Sequence, residues 1–254
     1  MKLVGILRIK DQIKIIDACL SKLSQIVDEL IIIDNGSTDG TLEAYKKYPK
    51  IVQILYTTGY DEGRDKIMLH EEAKKRNPDW IIWTDADEVF EDHFTREVVE
   101  GYMNSKYNRI TFRMCNFWLS YERCRYDDQY YLYNLHPQRS MWRNEEGAYF
   151  RNRKLHNGDI MGVPGKTFVS PYRLKHYGYV DKKEMQMKLD RYLANDQGQD
   201  RDYIRFINPS FPSKTYKYRE YKNQFINKAY ILFYKYLCNI LWLAERLRLK
   251  IVKK

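Results

Sequence analysis

Cysteine is scarce in this chain, and the few residues present are scattered. Of 254 residues only four are cysteine, and no two of them have the short spacing of a metal clip. We therefore expect reduced thiols in a cytoplasmic protein. The four residues are Cys19, Cys115, Cys124 and Cys238.

Long apolar runs are also missing. Between Ala229 and Ala244 the only charged residue is Lys235, but this stretch is too short to span a bilayer comfortably. The opening residues, Met1–Arg8, are too short and too soon interrupted by charge to be a signal peptide. The sequence therefore predicts neither a membrane span nor a secretion signal.

The phosphate-binding motif of P-loop ATPases and the common nucleic-acid-binding motifs are absent as well. No Gly-x4-Gly-Lys-Ser/Thr segment exists to cradle phosphates, which excludes a P-loop ATPase. None of the common nucleic-acid-binding motifs is present, so no nucleic-acid partner is expected. The formal net charge of +10 suits an anionic nucleotide, an anionic membrane or nucleic acid, and charge alone does not choose among them. The 23 tyrosines suit sugar stacking or a membrane interface.

What the chain does have is a buried-strand pattern that runs directly into acidic residues. Trp80–Thr84 has the pattern of a buried strand, and Asp85, Asp87 and Glu88 follow at once. Carboxylates this close are costly to bury unless a cation or hydrogen-bond donors meet them, so we expect them past the strand end, facing a cleft. Mg²⁺ and Mn²⁺ prefer carboxylate oxygens and keep positions open for phosphate. The pattern therefore predicts a site for Mn²⁺ or Mg²⁺ that receives a nucleotide diphosphate.

Strand and helix patterns alternate over residues 1–100, which specifies a parallel sheet with right-handed crossovers. Ligands bind beyond the carboxyl ends of such strands, where Asp34 and Asp85 both lie. Two polar turns that are distant in sequence are therefore predicted to face one cleft. The strands are predicted at Leu3–Ile9, Glu29–Ile33, Ile51–Tyr56 and Trp80–Thr84.

Several local features are also predicted. Asp11 is expected to cap a helix, and Thr38 or Asp39 to cap a second helix that runs to Tyr48. Arg109–Asn116 alternates as a strand does. The remaining predictions are a helix at Glu62–Arg76, a Tyr- and Arg-rich acceptor wall at Tyr121–Tyr133, a loop at Gly158–Ser170 and a helix that begins near Asp181.

Two motifs carry a resemblance to a known family. Ile31–Thr41, which reads Ile-Ile-Ile-Asp-Asn-Gly-Ser-Thr-Asp-Gly-Thr, resembles the hallmark of the family two glycosyltransferases, and Asp85–Glu88 resembles their Asp-x-Asp motif. Farther on, Arg139–Asn144, Leu155-His156 and Lys175–Tyr179 are similar to a bacterial subgroup related to lipopolysaccharide-core glucosyltransferases. The resemblance implies the α/β GT-A fold with a mostly parallel central sheet. It also implies metal-dependent, inverting transfer of a sugar from a nucleotide-diphospho-sugar, usually UDP-linked, to a glycan or lipid-linked acceptor.

The same resemblance implies roles for individual residues. Asp34 would accept a hydrogen bond from the nucleotide base, and Asp85 would lie near the ribose and the metal. Asp87 would ligate the metal that bridges the diphosphate, and His176 would complete its shell. The remaining nucleotide-binding candidates are Ile9, Asn35, Gly36, Ala86 and, facing the phosphates, Arg64 and Lys66.

An inverting transferase also needs a carboxylate on the acceptor side that takes the proton of the acceptor hydroxyl. Where the subgroup often reads His-Glu, this chain has His156-Asn157, and an amide cannot accept that proton. Asp159 lies just after this pair, and Glu145 and Glu146 lie upstream of it. Asp159 is the preferred candidate for the base, and Glu146 is the alternative.

Composition divides the chain into a catalytic domain and a basic extension. We expect a GT-A domain at 1–205, with a nucleotide-sugar half at about 1–100 and an acceptor half at about 101–205, and an extension at 206–254. Residues 216–254 are aromatic and helical in pattern, with charges on one narrow stripe. Such a helix would pack on the catalytic domain or a second subunit, or make a peripheral contact with the inner face of an anionic membrane. Liposome co-sedimentation of the chain with and without residues 216–254 distinguishes the membrane contact from packing on protein.

Other interpretations of the same residues stay open. Asp85–Val89 imitates the signature of aspartate-nucleophile phosphatases, although that signature normally follows the first strand of its domain. A catalytically inactive nucleotide-sugar-binding protein fits the altered base position, and a nucleic-acid-binding protein fits the charge and tyrosine content. Taken alone, Asp34 fits a plain turn, and Arg64 and Lys66 fit solvated helix charges.

Overall fold

The protein, as a computed structural model, is built around an eight-stranded mixed sheet. The predictions for His156-Asn157 and for most of the acceptor wall and of residues 216–254 lie outside the described residues. Among the residues that are described, no helix combines the length and apolar character that a membrane span requires. The structure describes residues 1–125, 137–154, 158–195 and 213–220, together with residues 208, 210, 225, 228, 229, 232, 233 and 236.

The strands follow the predicted order through the first part of the chain. All four predicted strands of residues 1–100 are present, two of them one residue longer than predicted, and the predicted strand Arg109–Asn116 is confirmed. The strands are β1 Leu3–Ile9, β2 Glu29–Asp34, β3 Ile51–Tyr56, β4 Trp80–Asp85, β5 Glu88–Phe90, β6 Arg109–Asn116, β7 Arg123–Arg125, β8 Pro137–Arg143, β9 Thr167–His176 and β10 Thr215–Lys217.

The large sheet has the order β3-β2-β1-β4-β8-β6-β9-β5, and β10 pairs with β7 in a separate ribbon. Strands β3, β2, β1 and β4 are parallel, as the alternating pattern predicts. Strand β8 runs antiparallel to both β4 and β6, whereas β6 and β9 are parallel. Because β8 is antiparallel to β4, its amino end lies beside the carboxyl end of β4, where the acidic residues of the candidate site follow.

Helices cover both faces of the parallel strands. Alternation along β1 sends Leu3 and Leu7 into the core beneath the first helix, and Val4 and Ile6 into the core beneath the third. A sheet covered on both faces requires strands that are apolar throughout, which explains the unbroken hydrophobic runs of β1, β2 and β4. The helices are α1 Ile16–Ile26, α2 Thr41–Ala44, α3 Glu62–Lys74, α4 Arg96–Met103 and α5 Lys182–Asn195, with a 3₁₀ turn at Tyr45–Lys47.

Two predictions at helix starts are corrected. Asp11 does not cap α1, which begins at Ile16; its backbone has a φ of +48°, and its carboxylate accepts the backbone N–H of Thr38 at 2.7 Å. This hydrogen bond ties the loop after β1 to the loop after β2. The second predicted helix has Gly40 as its N-cap rather than Thr38 or Asp39, and instead of running to Tyr48 it is the short α2 followed by the 3₁₀ turn.

Two predictions in the later part of the chain are also corrected. The loop predicted at Gly158–Ser170 already contains the start of β9, because Thr167 pairs in parallel with Arg109 of β6. The helical pattern does not begin at Tyr216, which lies in β10 opposite Cys124. In both places pairing with a strand that is distant in sequence determined the local structure.

We expect His70 of α3 to make the stability of the fold depend on pH. The residue is 3% exposed and its ring packs against Trp142 and Phe150. Burial lowers its pKa from 6.5 to about 4. Between these two pKa values the histidine binds a proton in the unfolded chain but not in the native protein. The free energy of unfolding therefore falls as the pH falls. We expect a loss of roughly 3 kcal/mol in the free energy of unfolding from pH 6.5 to pH 4, at about 1.36 kcal/mol per pKa unit.

Urea unfolding of the wild type and of His70→Phe between pH 7 and pH 4.5 tests this prediction. His70→Phe should show a weaker pH dependence than the wild type over this range. His70→Gln, which also lacks a titrating ring, should weaken the dependence in the same way. A His70→Phe profile parallel to that of the wild type would contradict the prediction.

Candidate active site

The carboxyl ends of β2, β1 and β4 form one edge of the sheet. In register, Asp34 lies beside Ile9, and Asp85 lies beside Arg8. The prediction that the two acids share an edge is confirmed. Their side chains nevertheless point to opposite faces, because side chains alternate along a strand: Asp34 lies on the face covered by α1, and Asp85 on the face covered by α3.

Asp34 is enclosed by its own turn. Its Oδ1 accepts the backbone N–H groups of Gly36 at 2.8 Å and Ser37 at 2.7 Å, and its Oδ2 accepts the hydroxyl of Tyr45 at 2.6 Å. Burial and the Asp34 charge raise the pKa of Tyr45, which therefore stays a donor. Asp34 is 0% exposed, and these hydrogen bonds to its carboxylate stabilise the conformation of the loop after β2. The contact with a nucleotide base stays a prediction.

Asp65 gathers the neighbouring candidates at the start of α3. This buried carboxylate accepts the Asn35 side-chain amide at 3.0 Å and the Arg64 guanidinium at 2.7 and 2.9 Å. Arg64 also donates to the carbonyl oxygen of Thr58 at 3.0 Å. The loops after β2 and β3 are thereby joined, and the Arg64 guanidinium lies on this junction.

Lys66 is buried rather than solvated. Its Nζ donates to the carbonyl oxygen of Gly158 at 2.8 Å and lies 4.5 Å from the centroid of the Trp83 ring. Burial lowers its pKa to about 8. The interpretation of Lys66 as a solvated helix charge is therefore wrong, and the structure puts its ammonium group beneath β4.

Arg139 joins the acidic residues that follow β4. Its Nη2 lies 2.5 Å from Asp85 Oδ2 and 2.6 Å from Glu88 Oε1, and its Nε donates to Glu88 Oε2 at 2.8 Å. Glu88 also accepts the backbone N–H of Asp85 at 2.9 Å. Burial and the neighbouring acids raise the pKa of Glu88, and Arg139 opposes that rise. This buried bridge fixes the turn that carries Asp87.

Asp87 and His176 meet because Glu88 of β5 pairs with His176 of β9. The Nε2 atom of His176 lies 3.3 Å from Asp87 Oδ2, and its Nδ1 donates to the side-chain oxygen of Asn116 at 2.6 Å. Burial alone would raise the pKa of Asp87, but the charges of His176 and Lys188 outweigh it and lower that pKa. A histidine whose second nitrogen is held by an acceptor is oriented as metal-binding histidines are.

The donor set fits a divalent cation. Ligand atoms of Asp87, Glu88 and His176 lie within 4.8 Å of one another. A carboxylate and an imidazole together suit Mn²⁺, and the carboxylate suits Mg²⁺. Of these three residues, Glu88 is already paired with Arg139 through both of its oxygens, which leaves Asp87 and His176 available to a metal. Asp85, the other predicted ligand, is paired with Arg139.

Gly178 closes this cluster from one side. A Cβ atom at this position would overlap the Asp87 carboxylate and lie 2.7 Å from His176 Nε2 and 2.9 Å from Lys188 Nζ. The crowded atoms are the ends of side chains, so alanine would displace the side chains of the site more than the backbone. We expect Gly178→Ala to weaken Mn²⁺ binding about 10- to 100-fold and to change the free energy of unfolding by less than about 1 kcal/mol.

Isothermal titration calorimetry with Mn²⁺ and thermal unfolding measure the two effects. Gly101→Ala in α4 is the matched control, because nothing lies within 4 Å of a Cβ atom at that position. It should leave Mn²⁺ binding unchanged. Wild-type Mn²⁺ affinity in Gly178→Ala would show that the cluster is not a metal site.

The two candidates for the catalytic base lie in different places. Asp159 Oδ2 accepts hydrogen bonds from Arg109 at 2.8 Å and Ser140 at 2.5 Å, so it lies beside the middle of β8. Glu146 is exposed and follows Asn144, whose N–H donates to the carbonyl oxygen of Asp79 at 3.0 Å, before the start of β4. Glu146 therefore lies at the end of β4 opposite to Asp85, and the structure does not bring it to the acidic cluster.

Ile9 and Ala86 have buried side chains in the core beneath α1. What they can offer a ligand at the strand ends is therefore their backbone. Arg139, Lys188 and Gly178 were not predicted as site residues. A signal existed for Arg139 and Gly178, since both lie in the segments that resemble the bacterial subgroup.

Comparison with known proteins identifies a family. Residues 9–169 match the model of the family described as Glycosyl transferase family 2. The chain is 22% identical to the uncharacterized protein Rv3786c of Mycobacterium tuberculosis over 216 residues, which are 77% of this chain and 51% of that protein. It thus spans about half the length of this curated relative.

Similar solved structures include two chains that are longer than this one. S. aureus TarS 1–349 is 15% identical, with a TM-score of 0.49, over 82% of this chain and 69% of that chain. The mannosyltransferase PcManGT from Pyrobaculum calidifontis, in complex with GDP-Man and Mn²⁺, is 15% identical, with a TM-score of 0.43, over 75% of this chain and 60% of that chain.

Proposed function

Because this chain belongs to glycosyl transferase family 2, we propose that it moves a sugar from a nucleotide-diphospho-sugar, UDP-linked in the simplest case, to a hydroxyl group of a glycan or lipid-linked acceptor. Its α/β architecture is the GT-A fold that the sequence predicts. The observation that supports the proposal most is the cluster of Asp87, His176 and Lys188 beyond the end of β4. Ligands of such sheets bind at this edge.

A divalent cation, Mn²⁺ or Mg²⁺, would be held by Asp87 and His176 in this proposal. When bound, it would supply positive charge that stabilises the departing diphosphate. Asn116 keeps His176 Nε2 facing Asp87. Arg139 keeps the preceding turn rigid through Asp85. Prearranged charges of this kind stabilise a transition state without reorganising during the reaction.

Inversion by single displacement requires a general base on the acceptor side. We keep Asp159 as the candidate, because Glu146 lies at the far end of β4. Arg109 and Ser140 hold the Asp159 carboxylate in place through hydrogen bonds of 2.8 and 2.5 Å, and a general base has to be held in position. Asp159→Asn should therefore lower transfer to the acceptor more than binding of the donor.

The test is nucleotide release from UDP-glucose, UDP-galactose, UDP-N-acetylglucosamine and GDP-mannose, with Mn²⁺ and with excess EDTA. Slow hydrolysis of a donor without an acceptor would identify the nucleotide and the sugar. We expect release from at least one donor, and we expect EDTA to suppress it. The same assay with p-nitrophenyl phosphate addresses the phosphatase interpretation.

Three results bear against the proposal in different ways. Release of p-nitrophenol that nucleotides do not alter would favour a phosphatase. Binding of a nucleotide sugar without turnover, even with a broad acceptor panel, would favour an inactive binding protein. Failure to bind any of the four donors would remove the proposal altogether.

A further inference from the structure

Lys188 is a cation at the candidate metal site whose role the sequence does not predict. Its Nζ lies 3.7 Å from Asp87 Oδ2 and 4.8 Å from the centroid of the Tyr179 ring. The side chain is 24% exposed, so the ammonium group borders the cleft. Within the described residues, no hydrogen bond is formed by its three N–H donors.

Helix α5 holds this lysine in position. The Asp181 carboxylate accepts backbone N–H groups of the first turn of α5, and Lys14 Nζ lies 3.1 Å from the same carboxylate. Met185 is fully buried and anchors the next turn. The ammonium group is therefore delivered to Asp87 by a helix that is fixed to the body of the protein and to the loop after β1.

An ammonium group and a divalent cation cannot both lie against Asp87 without repulsion. Lys188 therefore competes with a metal for this carboxylate as long as the site holds no other anion. A diphosphate removes the competition, because its oxygens can meet both cations at once. The Lys188 ammonium group suits such a ligand, because its three N–H donors are unused.

We propose that Lys188 binds the diphosphate of the donor and makes metal binding and nucleotide binding depend on each other. In the nucleotide-free site its charge neutralises Asp87 and weakens metal binding. With a nucleotide present it turns to the diphosphate, and Asp87 becomes free for the metal. The coupling is reciprocal, as linkage requires. This inference rests on the proposed function, because a nucleotide diphosphate is its ligand.

Isothermal titration calorimetry on the full chain tests the proposal with Mn²⁺, with UDP or GDP in the presence of Mn²⁺, and with uridine or guanosine as probes that lack phosphate. We expect Lys188→Met to bind Mn²⁺ alone about 3- to 10-fold more tightly, because a competing charge is gone. It should bind the diphosphate with Mn²⁺ about 10-fold more weakly, because a charged hydrogen-bond donor is gone. Nucleoside binding should stay the same.

Two variants serve as controls. Lys183→Met removes an exposed lysine from the same helix and should behave as the wild type. Lys188→Arg keeps the charge and should keep most of the coupling. Thermal unfolding of each variant checks that the fold is retained.

The opposite signs of the two effects separate this role from a structural one. If Lys188→Met weakens Mn²⁺ and diphosphate binding together, or leaves diphosphate binding at the wild-type value, the inference is wrong while the proposed function stands. If the wild type binds neither UDP nor GDP in the presence of Mn²⁺, the proposed function fails, and this inference fails with it.

Discussion

Replacing Asp87 with asparagine is expected to lower sugar transfer by roughly 10²- to 10³-fold, which corresponds to several kcal/mol of lost charge stabilisation at the departing diphosphate. The substitution keeps the size of the side chain but removes the charge that faces His176 Nε2 at 3.3 Å. An amide is also a poorer ligand for Mn²⁺ than a carboxylate. Mn²⁺ binding should therefore weaken in parallel with transfer.

Calorimetry with Mn²⁺ and the nucleotide-release assay measure these losses. Asp92→Asn is the matched control: it makes the same chemical change nearby, at a side chain that is 81% exposed and pairs with Lys175, and it should be close to neutral. Unchanged Mn²⁺ affinity and unchanged transfer in Asp87→Asn would show that the carboxylate has neither role.

Much of the fold follows from local patterns that the sequence displays openly. The four parallel strands are apolar runs that end in polar turns. Such runs are the pattern of strands in a sheet that is covered on both faces. Asp85 was predictable as a strand-end residue because it directly follows the apolar run Trp80–Thr84. The opposite orientation of Asp34 and Asp85 was not predictable in this way, because alternation gives faces only within one strand, and the relation between β2 and β4 depends on their register with β1.

The rest of the candidate site depends on pairings between distant segments. Asp87 meets His176 only because β5 pairs with β9, and Arg139 reaches Asp85 only because β8 runs antiparallel to β4. No periodicity within a single segment contains this information. The contact of Lys188 with Asp87 likewise depends on where α5 docks.

The roles implied for the other basic residues show a different limit. Arg64 and Lys66 were expected to meet phosphate, yet Lys66 is buried against Trp83 and Arg64 is paired with Asp65. A sequence shows that a lysine is present in a helix but not which carbonyl or ring its long side chain will reach. Whether either residue contacts a phosphate stays a prediction.

Replacing Arg139 with methionine is expected to lower the free energy of unfolding by about 3 to 5 kcal/mol, the usual cost of leaving a buried charge without its partner. Glu88 is 1% exposed and would lose its hydrogen bond and its ion pair with the guanidinium. Asp85 would lose its ion pair as well. The turn that carries Asp87 would then be held less firmly, so transfer should fall together with stability.

The double variant Arg139→Met with Glu88→Gln separates the charge effect from lost packing. Since glutamine carries no charge, this variant should recover a large part of the lost stability in urea unfolding. Arg143→Met on the same strand is the matched control. The Arg143 guanidinium donates to the carbonyl oxygen of Met103 at 3.0 Å. Removing it leaves no buried carboxylate without a partner, so Arg143→Met should lower the free energy of unfolding by only about 1 kcal/mol. Equal losses in Arg139→Met and Arg143→Met, with no recovery in the double variant, would mean that the buried bridge does not stabilise this turn through charge.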